Sequence, residues 1–452
     1  AEQGQTCRDL GADKIWGVLT IMIKPELMQS LTRERRNAIL RRSMEDVSAV
    51  YLEVRDIVLD IQKRGDIVSI EHYRKLKKDI SPDDLVVTEE EIDRAYKSID
   101  GKVVDRLKTA AGNIEKFHRA QLERDMWSIE ITNGVIAGRL VRPIDIIGAY
   151  LPGRKAIYPS SVLMDVIPAK VAGVEKIIAC TPPEEGMVIS EATLVAADIA
   201  GVDRIFKIGG PWAIASMAFG TECVPEVDKI VGPGNKYVTA AKMLVFGTID
   251  IDSPAGPSEV LILTDDTADP RLVAIDLVSQ VEHDEDAAGV LVSTSAKLAE
   301  EVCDIIDREI EGLPRKDIIK SALKRHSAVL IADSLEEAID FANEYASEHL
   351  QIVTAEPFAI LPRIKHAGSI FLGRYAPVPV GDYASGTNHV LPTGQCARMF
   401  SGLSVDDFIK KPTFQYLTKE GLRQLKDIVI TLAEAEGLYM HARAIRERFT
   451  DK

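Results

Sequence analysis

The sequence predicts an α/β protein in which parallel β-sheets are covered by helices. From Asp145 onward, short runs rich in β-branched residues alternate with Ala-rich stretches of helical character. Repeated strand and helix are typical of parallel sheets with both faces buried. From Glu26 to about Lys116 the chain is highly charged and its apolar residues recur at helical spacing, which predicts a helical layer before the sheets.

Short apolar runs mark the expected strands. They are Ile146–Tyr150, Lys176–Cys180, Arg204–Ile208, Lys229–Val231, Val260–Leu263, Gly289–Val292, Ala328–Ile331, Leu350–Val353 and Ser369–Leu372. In open α/β sheets, ligands bind beyond the carboxyl ends of strands. Gly-containing turns lie there or open the next element: Pro152-Gly153, Gly209-Gly210, Gly232-Pro233-Gly234-Asn235 and Gly256-Pro257-Ser258. The helix after Asn235 could direct amide groups toward an anion such as a pyrophosphate. The alternative interpretation is plain tight turns.

Length and charge restrict the kind of protein. A chain of 452 residues can form two or three domains with sizeable cores. The net charge of −15 disfavours nucleic acid or an anionic membrane as partner and suits a small polar substrate. No run approaches the roughly 18 apolar residues of a membrane span. Without a basic segment and apolar core at its N-terminus, the chain is expected to be cytoplasmic. Its five scattered cysteines, with no C-x-x-C, are expected to be reduced and mostly structural.

Two pairs of polar residues are candidate metal or ligand sites. Asp382 and His389 lie seven positions apart in a predicted Gly-containing loop, which is either a ligand site or a polar surface turn. Gln280 and His283 end a predicted helix, where a spacing of three would place them on one face and allow them to bind one ion. A capped or surface pair is the alternative for these two residues.

Glu348 and His349 form a third pair, at the junction between a predicted helix and the strand Leu350–Val353. An adjacent acid and base at such a junction could transfer protons. A solvated helix end is the alternative interpretation.

Together these motifs resemble the histidinol dehydrogenase family over roughly residues 22 to 452. The matching blocks, in the family's order, are Ala149-Tyr150-Leu151-Pro152-Gly153, Gly232-Pro233-Gly234-Asn235, 252–259, Gln280 with His283, Glu348-His349, Asp382 with His389, and 433–438 followed by His441. The resemblance implies a zinc enzyme that oxidises L-histidinol through L-histidinal to L-histidine with NAD. It also implies two incomplete Rossmann-like parallel-sheet domains with helical extensions at both ends, since the G-x-G-x-x-G fingerprint is absent.

The resemblance assigns roles to individual residues. It implies zinc ligation by Gln280, His283, Asp382 and His441, and acid–base catalysis by Glu348 and His349. Substrate contacts are implied for Ser258, Gln280, His283, His349, Asp382, His389, Glu436 and His441. For NAD it implies Tyr150, Asn235 and a Gln whose position Trp212 occupies here. Trp cannot replace the donor and acceptor of an amide but can stack on a base or ribose. Arg154 also alters a two-glycine turn of the family.

Domain boundaries and partners follow from the same resemblance. The implied segments are an unmatched extension 1–21, a helical segment 22–45, a main α/β domain 46–129 with 258–403 holding the zinc site, an NAD-binding domain 130–257 and a C-terminal tail 404–452. A homodimer with exchanged tails is expected, so that Glu436 and His441 act in the partner's site. Both face one pocket only if their helix is interrupted, for which Gly437 is the candidate.

Two other functions remain open from the sequence. A paralogue could apply the same zinc and NAD chemistry to another small polar alcohol. A zinc-dependent scaffold could have lost redox activity through Trp212, although the intact Glu348-His349 pair argues against it.

Overall fold

The computed structural model describes residues 23–42, 47–153, 158–253 and 256–450, which form sixteen strands and seventeen α-helices. The strands are β1 Pro25–Leu27, β2 Met126–Thr132, β3 Val135–Leu140, β4 Arg142–Pro143, β5 Ile146–Tyr150, β6 Lys176–Cys180, β7 Arg204–Phe206, β8 Lys229–Val231, β9 Asp250–Ile251, β10 Glu259–Thr264, β11 Ala288–Ser293, β12 Ala328–Ile331, β13 His349–Val353, β14 Ser369–Leu372, β15 Ile409–Lys410 and β16 Thr413–Leu417. The helices are α1 Arg33–Arg41, α2 Tyr51–Arg64, α3 Asp66–Tyr73, α4 Glu89–Ser98, α5 Gly101–Arg119, α6 Pro159–Ala172, α7 Glu191–Ala200, α8 Gly210–Phe219, α9 Lys236–Val245, α10 Pro270–Val281, α11 Ala296–Glu309, α12 Lys316–His326, α13 Leu335–Tyr345, α14 Pro357–Ile360, α15 Val378–Tyr383, α16 Lys419–Ala435 and α17 Tyr439–Arg446.

The chain divides into two compact units. Unit 1 comprises the described residues of 1–44 and 257–377, and unit 2 those of 45–256 and 378–452. The domain boundaries given above follow function rather than compactness, and they stay a prediction. Residues 1–21 and Arg154 lie outside the described residues.

Unit 1 contains a six-stranded sheet in the order β1-β12-β11-β10-β13-β14, in which every pairing is parallel. Strands β10 to β13 are buried almost throughout, as their continuous apolar runs predict. One face packs against α1 and α13 through residues such as Leu263 and Leu350. The segment predicted as helical at 22–45 also supplies β1, an edge strand that its short length concealed.

Unit 2 contains a five-stranded parallel sheet in the order β7-β6-β5-β8-β9. The chain runs from β5 outward to β7 and then crosses to β8 and β9, so the strand order reverses between β5 and β8. Such a reversal opens a crevice at the carboxyl ends of the two strands. The predicted strand Arg204–Ile208 ends early, at Phe206. The predicted helical layer is present as α2 to α5.

Unit 2 also contains a three-stranded antiparallel sheet, β16-β3-β2, and the antiparallel pair β15-β4, both absent from the prediction. Strand β2 exposes almost its whole length, including Met126, Trp127, Ile129 and Ile131. Its residues from Trp127 to Thr132 nevertheless alternate apolar and polar, so the pattern that identifies a strand was present in the sequence and was missed. Among the described residues, no helix has the length and apolar character needed to cross a membrane.

Candidate functional site

The candidate residues of unit 1 lie at the amino ends of its strands. Ser258 precedes β10, and Glu348 directly precedes β13, whose first residue is His349. Strands β10 and β13 are adjacent and parallel, with Val260 opposite His349. Helix α10, which carries Gln280, ends before β11. The amino ends of parallel strands share one edge of a sheet, so these residues approach the same edge.

Glu348 and His349 are buried, at 5% and 4% exposure, and their geometry fixes the imidazole. His349 Nδ1 lies 3.1 Å from the carbonyl oxygen of Glu259 and 3.4 Å from Glu348 Oε2. Both neighbours are acceptors, so the proton of the neutral ring belongs on Nδ1, and Nε2 is the basic nitrogen. The structure thus confirms the helix–strand junction, and it rules out a solvated helix end for these two residues.

Gln280 and His283 do not share a helix, as the sequence had suggested. Helix α10 ends at Val281, and His283 lies in the turn beyond it. The His283 backbone N–H donates to the Gln280 carbonyl at 3.4 Å, so the chain keeps roughly one turn of helical spacing between them. Gln280 is only 2% exposed. The His283 side chain is exposed, yet partial desolvation by nearby atoms lowers its pKa, which favours the neutral imidazole that binds metals.

Asp382 also differs from its prediction, because it lies in the short helix α15 rather than in a loop. Its backbone carbonyl accepts a hydrogen bond from His389 Nδ1 at 2.9 Å, and His389 Nε2 lies 3.1 Å from the Ser161 hydroxyl. The imidazole therefore holds the main chain of Asp382 in place. Burial raises the pKa of the Asp382 carboxyl to about 6.

The predicted cofactor residues of unit 2 lie at the carboxyl ends of its strands. Tyr150 ends β5, and its hydroxyl accepts a hydrogen bond from the Gly210 backbone N–H at 3.1 Å. Asn235 caps α9 by accepting from the backbone N–H groups of Tyr237 and Val238 at 3.0 and 3.3 Å. Tyr150 and Asn235 thus flank the reversal point between β5 and β8.

Trp212 lies in the first turn of α8, beside the same edge. Its indole stacks on the imidazole of His72, with ring centroids 3.7 Å apart and planes inclined by 29°. Both rings line a cavity of about 640 Å³ whose other walls come mainly from α2 and α3. The Trp212 indole is therefore stacked on one aromatic ring, that of His72, and faces the open space of the cavity.

Two neighbouring features constrain this edge further. A Cβ atom on Gly232, whose φ is +114°, would lie 2.2 Å from the Tyr150 carbonyl oxygen. Asp165 of α6 is completely buried nearby, and neither of its carboxyl oxygens has a hydrogen-bond partner among the described residues. Burial, and secondly the charge of Asp252, raise the pKa of Asp165 well above its usual range, while Lys242 opposes the shift.

The helix in the tail breaks where the sequence predicted. Helix α16 ends at Ala435, and Gly437 has a φ of +75°. The Leu438 N–H donates to the Ala433 carbonyl at 2.7 Å and the Gly437 N–H to the Glu434 carbonyl at 3.0 Å, the two bonds of a Schellman motif. Glu436 and His441 lie on opposite sides of this break, and both are exposed.

No three His, Cys, Asp or Glu side chains come close enough to hold a metal in the part of the chain that the structure describes. Of the four implied zinc ligands, Gln280 and His283 belong to unit 1 and Asp382 and His441 to unit 2. Their donor atoms, an amide oxygen, a carboxylate and two imidazoles, nevertheless suit zinc chemically.

The fold and these residues define a two-unit α/β protein with an adjacent, buried Glu and His on one parallel sheet and glycine-containing turns at the carboxyl ends of the other. The family model described as histidinol dehydrogenase matches residues 40–449. The chain therefore belongs to the histidinol dehydrogenase family, NAD-dependent oxidoreductases of histidine biosynthesis.

Individual relatives agree with this family. A histidinol dehydrogenase of Methanocaldococcus jannaschii is 51% identical over 421 residues, covering 93% of this chain and 97% of the relative. One of Methanothermobacter thermautotrophicus is 49% identical, covering 92% and 97%. The crystal structure of the histidinol dehydrogenase from Elizabethkingia anophelis has a TM-score of 0.89 at 39% identity, covering 94% of this chain and 98% of that one. The similarity therefore extends through both units.

Proposed function

We propose that Glu348 and His349 are the acid–base pair with which this chain oxidises L-histidinol through L-histidinal to L-histidine, with two molecules of NAD. The observation that supports it is the fixed imidazole, with Nδ1 held by the Glu259 carbonyl and Nε2 left as the basic atom. Loss of a hydride from an alcohol requires that the hydroxyl proton leave as well. His349 Nε2 takes that proton in the first oxidation.

Glu348 serves the second oxidation. An aldehyde can lose a hydride and become an acid only after water has added to it. Glu348 Oε2 accepts from the Glu259 backbone N–H at 2.7 Å, which fixes the orientation of the carboxylate. In this orientation the carboxylate acts as the base that activates the incoming water.

Zinc would be held by Gln280, His283, Asp382 and His441. When bound, it supplies a Lewis-acidic anchor for the nitrogen atoms of the substrate. The amide oxygen of Gln280 carries no charge, and the two histidines bind as neutral rings. Asp382 must lose its proton before it can ligate, because burial raises its pKa to about 6. Ser258, His389 and Glu436 would complete the polar contacts to the substrate.

NAD would bind at the carboxyl edge of the unit 2 sheet, with contacts from Tyr150, Trp212 and Asn235. Tyr150 holds the turn after β7 and Asn235 the turn after β8, both at the carboxyl edge of this sheet. Trp212 offers an aromatic face in place of the amide found in the family.

We further propose a homodimer in which the tails are exchanged. Strand β2 exposes Met126, Trp127, Ile129 and Ile131, an apolar surface of the kind that a second subunit would cover. Glu436 and His441 are exposed in this chain, so they are available to a partner's site. A two-fold dimer would apply the exchange to both subunits alike.

The role of Glu348 is tested with Glu348→Gln, assayed separately on histidinol and histidinal. We expect NADH formation from histidinal to fall by at least roughly a hundredfold, the scale of general-base catalysis, and the first oxidation of histidinol to fall far less. Glu344→Gln, an exposed position on α13 that pairs with Arg36, is the control and should retain both activities. An equal loss on both substrates would refute the assignment.

Tail exchange is tested by co-expressing Glu348→Gln with His441→Ala. Each homodimer should be inactive in the full reaction. In a mixed dimer with exchanged tails, the Glu348→Gln chain lends its intact tail to the intact body of the other chain, so one of the two sites is complete. If each tail served its own chain, every site would carry one defect. Purified mixed dimers with no activity would therefore exclude the exchange.

A further inference from the structure

We propose that Arg42 and Glu259 are positioning residues that hold the segment carrying Glu348 and His349 in its working geometry. Neither residue is assigned contact with substrate or cofactor. The inference rests on the proposed role of the Glu348–His349 pair, because it explains how that pair is held.

Glu259 makes three bonds to the pair. Its backbone N–H donates to Glu348 Oε2 at 2.7 Å, its side-chain Oε1 accepts from the Glu348 backbone N–H at 3.1 Å, and its carbonyl accepts from His349 Nδ1 at 3.1 Å. One residue thereby orients the carboxylate, the main chain and the imidazole. These bonds orient both proposed acid–base groups, because His349 Nδ1 and Glu348 Oε2 are both hydrogen-bonded to the backbone of Glu259.

Arg42 holds Glu259 in turn. Its guanidinium forms a two-pronged ion pair with the Glu259 carboxylate, through Nε to Oε2 and Nη2 to Oε1. The two side chains are only 1% and 2% exposed. Two-pronged geometry fixes the angle of the carboxylate as well as its distance, which a single contact does not.

Arg42 also binds the backbone of the segment just before Glu348. It donates to the carbonyl oxygens of Tyr345 at 3.0 Å and Ala346 at 3.4 Å, and its guanidinium lies 3.8 Å from the centre of the Tyr345 ring. Ala346 has a φ of +49°, a conformation that a non-glycine residue adopts at some cost. The contacts therefore maintain a turn that the local sequence does not favour.

The charges around the pair agree with this arrangement. Two carboxylates, Glu259 and Glu348, are buried within hydrogen-bond reach of each other's backbone, beside the phenol of Tyr345 and the imidazole of His349. Arg42 is a cation placed against them: burial opposes its charge, but Tyr345, Glu259 and Glu348, in that order, raise its pKa. Without Arg42, both carboxylates would remain buried together, and like charges at short range oppose joint ionisation.

A role in stability alone is the competing explanation, since removing one partner of a buried ion pair destabilises a protein. The neighbouring Arg36 supplies a matched comparison. It connects α1 to α13 through Glu344 and lies over the ring of Phe341 at 5.3 Å, whereas the contacts of Arg42 reach Glu259 and the turn before Glu348. Replacing Arg36 therefore weakens only the contact of α1 with α13, whereas replacing Arg42 also removes the support of Glu348 and His349.

The test uses the full-length enzyme with three variants: Arg42→Met, the double variant Arg42→Met/Glu259→Gln, and the control Arg36→Met. The double variant removes both buried charges together, so it avoids an unpaired charge and should unfold at a higher temperature than the single variant. In both Arg42 variants we expect kcat with histidinol to fall about a hundredfold, the cost of misplacing a catalytic group by about 1 Å. KM for histidinol and zinc content should change less than about twofold. Arg36→Met should keep its kcat.

The outcomes distinguish the explanations. If kcat recovers in the double variant together with the unfolding temperature, or if only KM changes, Arg42 and Glu259 serve stability and the positioning role is refuted. If kcat stays low while the unfolding temperature recovers, positioning is supported. Failure of this inference is separable from failure of the proposed function. Glu348→Gln alone decides whether Glu348 acts in the second oxidation, whatever the Arg42 variants do.

Discussion

The two parallel sheets place their candidate residues at opposite kinds of edge. In unit 1, Ser258, Glu348 and His349 lie where strands begin, whereas in unit 2 Tyr150 and the turn before Asn235 lie where strands end. Strand ends lead into helix amino termini, whose free N–H groups and partial positive charge favour an anion such as a pyrophosphate. Strand beginnings follow helix carboxyl termini, where partial negative charge favours a cation. The two sheets therefore differ in the charge that their candidate edges favour, a cation in unit 1 and an anion in unit 2.

The largest effect is expected for His283→Ala, which changes the unit 1 edge. We expect zinc to be lost because one of its proposed ligands is removed. Activity should fall by more than the roughly 10- to 100-fold caused by changing a residue that only hydrogen-bonds to a ligand. NAD binding should persist, since its proposed contacts are in unit 2. Metal analysis and NAD titration measure the two effects. His366→Ala, in unit 1 but outside every motif, is the control. A His283→Ala enzyme with full zinc content would overturn the ligand assignment.

Gly232→Ala is the converse change at the unit 2 edge. The new methyl would meet the Tyr150 carbonyl oxygen at 2.2 Å, so we expect overpacking to cost about 1–3 kcal/mol and to displace the turn that borders the NAD crevice. NAD affinity should fall while zinc content is unchanged. Gly247→Ala is the matched control, because Gly247 has a φ of +97° and a methyl group added there would meet no atom within 4 Å. Equal effects of both substitutions would show that backbone strain alone, without the clash, is responsible.

Trp212→Ala tests whether this side chain contributes to NAD binding at the unit 2 edge. An aromatic contact beyond area burial contributes about 0.5–1.5 kcal/mol, so removing the indole should weaken NAD binding by roughly two- to tenfold. Trp212→Gln restores an amide and should weaken it less. Binding of histidinol, titrated separately, serves as the internal control and should hardly change. Unaltered NAD affinity in both variants would place Trp212 away from the cofactor.

The last prediction concerns stability rather than ligand binding, at Asp165, the buried acid near the unit 2 edge. Its pKa is raised in the folded protein, so below the unfolded pKa of about 3.9 it is protonated in both states and costs nothing. As pH rises above that value, only the unfolded chain ionises, and folding loses about 1.4 kcal/mol for each unit of the shift that is crossed. The stability of Asp165→Asn relative to the unmutated protein should therefore increase between about pH 4 and pH 8. Thermal unfolding at both pH values measures this, and a difference that does not depend on pH would contradict it.

Local pattern was enough to predict most of the parallel sheets. Lys176–Cys180 and Ala328–Ile331 match their strands residue for residue, because a continuous apolar run is buried on both faces. The antiparallel sheet was missed although β2 alternates apolar and polar residues from Trp127 to Thr132; its third strand, β16, lies far along the chain. His283 was placed on the helix because periodicity does not show where a helix ends.

The sequence motifs predicted the candidate site residues, but not the buried ion pair that holds two of them in place. Glu348 and His349 are adjacent in sequence, so one motif reveals both. Arg42 and Glu259 are 217 positions apart, and nothing local connects them. One signal was present: Glu259 opens a wholly buried strand, and a charge in that place needs a buried partner.

The ion pair between Arg42 and Glu259 also has a consequence for the order in which the molecule is made. Residues 23–42 are synthesised long before the strand that receives them, with most of unit 2 emerging in between. Closing so long a loop costs entropy and delays the contact, whereas residues 45–256 can collapse on their own partners during translation. Strand β1 must likewise wait for β12 to emerge before it can pair. The hydrogen bonds around Glu348 and His349 are therefore among the last contacts that the nascent chain can form, and an interrupted chain would carry the unit 2 sheet without them.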